Sequence, residues 1–216
     1  MSRSHVATAA AAAALVVLAL AAPALAAPPW QVADTIRADL FEAQTDLLLA
    51  EPGRRTGSGT RAIDAAERAV SGSLERDLAR DAPAALVELR AALGAARRSL
   101  ASGDEVGLAA ARGSAIAALR HGAFAVAVKA AARGDAREAR AWLLVRDFRQ
   151  STRFTRPGVD ATAALIGMAA GDVEPADATL QVRKDLLDAY QSRLATNLDA
   201  AGQAGERGFT PRFAEA

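Results

Sequence analysis

The 216-residue chain contains no cysteine. That excludes disulfides, thiolate metal centres and a lipid-modified cysteine, so the fold is held by packing alone. Histidine is nearly as scarce, with only His5 and His121. The commoner zinc and transition-metal sites draw on several His or Cys ligands, and a Ser–His–Asp triad would need a serine and a carboxylate brought to His121. Nothing in the residues around it points to either, and a structural role is the simpler reading. Aromatic residues make up 4% of the chain, so the core must be built from alanine and leucine. No phosphate loop, dinucleotide fingerprint or hydrolase-type carboxylate pair is present. These absences argue against an enzyme.

Long apolar runs are confined to the N-terminus. Residues 6–22 form one run, with Thr8 its one polar residue, behind a weakly basic start at Arg3. Ala24, Leu25 and Ala26 then supply small residues at signal-peptidase spacing. The pattern predicts a cleaved signal peptide over 1–26, a mature start at Ala27 and export to the periplasm or the outer face of the cytoplasmic membrane. An uncleaved anchor and a buried helix are the alternatives. Later runs fall short of the roughly 18 apolar residues that a span needs; the best, residues 122–128, stops at Lys129. The mature chain should therefore form no pore of its own.

What remains, residues 27–216, suits one all-α extracytoplasmic domain. Ala33, Ile36, Leu40, Ala43 and Leu47 recur at three- and four-residue steps. So do Leu86, Leu89, Leu93, Ala96 and Leu100, and Leu187, Tyr190, Leu194, Leu198 and Ala201; this is the signature of helices with one apolar face. Alanine favours helix throughout. Pro83 suits a first helical turn, and Ser102 with Glu105 and Asp135 with Glu138 have capping-box spacing. Together these predict about seven helices near 30–50, 61–80, 83–101, 104–132, 135–152, 159–170 and 175–204, in an up-and-down bundle. Gly107, Gly113 and Gly122 make the fourth a candidate for a kink or a split. The last residues, from Phe209, read as a helix just beginning, as in a fragment of a longer polypeptide.

Charge is abundant but balanced. Without the leader, 25 basic residues face 25 acidic ones. Residues 27–52 hold five acids and one base, residues 131–156 seven arginines and three acids, and residues 157–216 nine acids and five bases. Nucleic-acid binders carry a positive surplus, so none is expected here. Arg146, Arg149, Arg153 and Arg156, interleaved with Phe148 and Phe154 and followed by Asp160, read as internal partners for the flanking carboxylates. Guanidinium groups suit such pairing; an anion site is the alternative. On the first helix Asp39, Glu42 and Asp46 fall within about 60° of one another. Hard cations take such oxygen ligands, although a solvated acidic face gives the same spacing.

The segment AWLLVRDFR (141–149), with TRFTRPG (152–158) and DAT (160–162), resembles the extracytoplasmic helical domain that precedes the membrane part in some bacterial members of the high-affinity iron permease family, the oxidase-linked iron transporter type. ADTIRADLFEAQ (33–44) and KDLLDAY (184–190) fit the same domain, in the same order. The resemblance implies a membrane-proximal accessory role beside a membrane iron permease, encoded in the same or a neighbouring polypeptide, with iron ion as the only implied ligand. The family's intramembrane Arg-Glu-x-x-Glu pattern is absent: Arg137 and Glu138 are followed by Ala139, Arg140 and Ala141. No permease ligand therefore carries over. A structural or protein-interaction bundle with no metal role is the competing expectation.

Overall fold

The computed structural model describes residues 27–49, 57–148 and 160–205. Within them the chain forms α1 (Pro29–Leu49), α2 (Gly57–Val70), α3 (Ser73–Asp81), α4 (Pro83–Ser102), α5 (Glu105–Ala132), α6 (Ala136–Leu143), a 3₁₀ turn (Leu144–Arg146), α7 (Ala161–Ala170) and α8 (Pro175–Gly205). There is no strand among the described residues. This is the all-α bundle that the sequence implies. The predicted leader, the Pro157-Gly158 turn and the C-terminal residues 206–216 lie outside the described residues, as do residues 51–56 of the glycine-rich loop expected over 51–60, whose last four residues instead open α2.

α5 is the axis of the bundle, packed by α4, α6, α8, α1 and α3. Thirteen of its residues are buried, most of them alanine, and alanine also lines the facing side of α4 at 85, 92 and 96. Small side chains let these helix axes approach closely. α5 is long and apolar enough to cross a membrane, yet 56% of its apolar window is buried inside the bundle, where it serves as the core helix.

Local chemistry explains most boundaries. Pro83 opens α4 one residue after α3 ends. Asp135 caps α6 by accepting from the Glu138 amide at 2.9 Å. At the start of α5 the cap is Asp104, which accepts from Gly107 N. Ser102, expected to cap it, instead bonds back to the carbonyls of Arg98 and Ser99.

Four further expectations are corrected. The helix predicted over 61–80 is two, α2 and α3, broken at Ser71 and Gly72; Gly72 has φ 107, a backbone that a side chain disfavours. α5 is not split at its glycines. Gly107 sits at the cap, and Gly122 is buried where a β-carbon would collide with the Leu78 side chain. The helix predicted over 135–152 stops at Leu143 and tightens into the 3₁₀ turn.

The fourth correction concerns α8. Its inward face is Ala178, Val182, Asp185, Leu186 and Ala189, while Leu187, Leu194 and Leu198 of the predicted apolar stripe are half exposed. The helix is rotated so that Asp185 faces the core among apolar residues, while three of the predicted leucines do not.

The close approach at Gly122 gives a paired test. Gly122→Val should lower the stability by about 1–3 kcal/mol, the usual cost of overpacking, because Leu78 is itself fully buried. Gly94→Ala, whose new β-carbon would meet only Arg98 Nη1 at 3.5 Å, should raise it by about 0.5–1 kcal/mol. Urea denaturation of the two variants measures both.

Candidate functional site

The buried aspartate of α8 has a reason to be there. Arg146, at the end of the 3₁₀ turn, is fully buried. Its guanidinium lies against the Asp185 carboxylate, with Asp147 at 3.2 Å and Asp160 at 3.9 Å. Asp185 Oδ2 also accepts from the Ala161 amide at 2.7 Å, and Asp160 caps the same helix by accepting from Thr162 N at 2.8 Å. The first turn of α7, with its unpaired amides, is thus held by two carboxylates that also face one guanidinium. Asp147 extends the network to Arg193 on α8 at 3.1 Å. Burial raises the Asp185 carboxyl above the usual carboxylate range, outweighing the Ala161 amide and Arg146, which favour its charge. Arg149, Arg153 and Arg156 lie outside the described residues.

The acidic stripe of α1 is not gathered into a ligand set. Asp46 accepts from the Gly59 amide at 2.7 Å, so it fastens the first turn of α2. Glu42 is exposed. Asp39 is partly buried, and its Oδ2 has no hydrogen-bond partner; burial, then the neighbouring Glu42, raise its carboxyl, while Arg68 opposes them. Among the described residues no group of three or more His, Cys, Asp or Glu is arranged to hold a metal ion.

A second network, which the sequence reading missed, clamps the end of α3 to the junction of α5 and α6. Asp81 receives a bidentate pair of bonds from Arg133, both 3.0 Å, and a third from Arg80 at 2.9 Å. Glu138 pairs with the same two arginines, and Lys129 Nζ donates to the Asp81 carbonyl at 2.7 Å. Nearby, Trp142 Nε1 donates to Asp77 at 3.1 Å. The available signal was Asp81 immediately before Ala82 and Pro83: a helix-ending carboxylate whose partners lie about fifty residues away cannot be read from spacing. Burial opposes charge on Asp81, but the bonds from Arg133 and Arg80 prevail and hold its carboxyl below the usual range.

The remaining features carry no catalytic constellation among the described residues. His121 faces Glu88 at 3.0 Å, and both are about half exposed. An open recess of about 500 Å³ between α1, α6 and α7 is lined by Trp30, Arg137, Arg140, Leu144, Leu165 and Ile166, with alanines and Pro28. It contains no nucleophile or carboxylate.

Residues 26–216 match the family model described as the iron permease FTR1 N-terminal domain. No curated protein and no solved structure shows a significant match to the chain.

The Asp81 clamp predicts a pH dependence with a definite sign. Its folded pKa lies below the unfolded value of 3.8. Its contribution is therefore complete above 3.8 and is lost as pH falls through the folded pKa. Asp81→Asn should cost about 1–2 kcal/mol at neutral pH, since Arg80 and Arg133 are themselves half exposed and solvent screens much of the gain. Denaturation curves of parent and variant should converge below 3.8.

Proposed function

Since the chain belongs to the iron permease family, through its FTR1 N-terminal domain, we propose that it is an extracytoplasmic accessory domain that assists iron ion transport across the membrane without forming the pore. The family match, covering nearly the whole chain beyond the apolar leader, carries this reading. Its start at residue 26 fits a leader that is separate from the domain. The one described helix long and apolar enough to cross a membrane, α5, is occupied as the core of a bundle, which favours a domain standing beside the membrane over one threading it. Members of this family are transporters, and the described residues hold no catalytic constellation, so the role lies in transport rather than catalysis. Its partner is the membrane iron permease, and the site of action is the periplasm or the outer face of the cytoplasmic membrane.

Iron is the cargo here. Contact with it would use oxygen donors, and Asp39, with a buried unpartnered oxygen beside Glu42, is the position on α1 where a cation would relieve the most electrostatic cost. A bundle acting only through protein contacts is the second reading, favoured by Asp46, which is already committed to the α2 terminus.

Melting of the purified protein with ferrous or ferric iron separates the two. Binding at a hundredfold excess over Kd would add about 2.7 kcal/mol, and replacing Asp39, Glu42 and Asp46 by Asn, Gln and Asn should remove that gain. Identical melting with and without iron in the parent leaves the protein-contact reading. In cells, deleting this domain beside an intact permease should reduce iron uptake at low external iron without abolishing it.

A further inference from the structure

The arginines of the central helices are not all satisfied by carboxylates. Arg120, in the middle of α5, carries its guanidinium over the Phe148 ring, 5.5 Å from the centroid. Its Nε is buried with no acceptor, and among the described residues no carboxylate lies within ion-pair distance of it. Burial pushes this guanidinium down to about 10, and Arg193 adds to the effect, against weaker support from Tyr190 and Asp147. An arginine stays protonated at neutral pH all the same. The shift therefore reflects burial first and the like charge of Arg193 second.

The surroundings are basic. Arg37 of α1 lies over the same Phe148 ring at 5.9 Å. Arg193 of α8 approaches from the side of Asp147. The carboxylates at hand are already engaged: Asp34 holds Arg37 at 2.6 Å, and Asp147 is shared by Arg146 and Arg193. Phe148 itself has φ 53, the one positive value at a non-glycine residue among those described. Such a backbone persists only where its surroundings hold it, and two guanidinium groups lie close to the ring. Stacking occupies the face of a guanidinium and leaves its N–H edge for an acceptor.

We propose that Arg37, Arg120 and Arg193, set around Phe148 where α1, α5, α8 and the turn after α6 meet, form a binding site for a small multivalent oxygen anion, a polycarboxylate or a phosphate. The planar fork of arginine matches such groups in paired hydrogen bonds, and an anion with several oxygens can bridge guanidinium groups that a single chloride cannot. The site is distinct from the acidic stripe of α1 and stands whether or not the domain touches iron.

Calorimetric titration of the purified protein with citrate and with phosphate, at ionic strength matched by chloride, tests the assignment, with thermal melting in parallel. At least one of the two should bind saturably and raise the Tm, while chloride does neither. Arg120→Gln and Arg37→Gln should each weaken binding about tenfold or more, the loss of one charge-assisted contact. Arg61→Gln, exposed on α2, should leave it unchanged. If Arg120→Gln does not fold, Arg37→Gln decides the matter alone. Equal melting in all three salts, unchanged affinity in Arg37→Gln, or an equal loss in Arg61→Gln would overturn the proposal.

Discussion

A guanidinium with no access to water must find its counter-charge inside the protein, and the burial of Arg146 imposes that condition on everything after α6. The carboxylate that answers it is Asp185, itself fully buried. Because Asp185 also receives the Ala161 amide, one ion pair fixes three pieces of chain: the 3₁₀ turn, the start of α7 and the rotation of α8. Removing two charges from water costs several kcal/mol per ion, which their attraction only partly returns. Such a pair adds little net stability, but breaking it is expensive. Its effect is to select one arrangement over its neighbours.

That selection matters because the rest of the interface selects weakly. Alanine makes up three of the six buried residues of α4 and eight of the thirteen of α5, and such small, similar side chains interdigitate shallowly. α8 shows the consequence. A leucine stripe at 187, 194 and 198 was available to face the core, yet it points outward, and the aspartate face turns in. That inward face is otherwise apolar, with Ala178, Val182, Leu186 and Ala189 beside Asp185. Asp81, held by Arg80 and Arg133, ties the end of α3 to the junction of α5 and α6 in the same way.

Features with local causes were legible in the sequence. The apolar stripe of α1, the opening of α4 at Pro83 and the Asp135 cap depend on residues within one turn of each other, and each was found where the pattern placed it. What could not be read depended on distant partners. Spacing put Asp39, Glu42 and Asp46 on one face, but not the α2 terminus that Asp46 holds. It showed arginines among aromatics, but not which of them would be buried, paired or left stacked on Phe148. Glycine was ambiguous for the same reason: Gly72 takes φ 107 and ends a helix, whereas Gly122 stays helical with Leu78 packed where its side chain would stand.

The account rests on Arg146 and Asp185 acting as a unit, and a double-mutant cycle with Arg146→Met and Asp185→Leu measures that directly. Each single change should cost about 3–5 kcal/mol, because it strands a buried charge, and the double variant should cost much less than the sum. Singles costing under about 1 kcal/mol, as for an exposed pair, or costs that simply add, would contradict the claim that this pair sets the arrangement of α7 and α8.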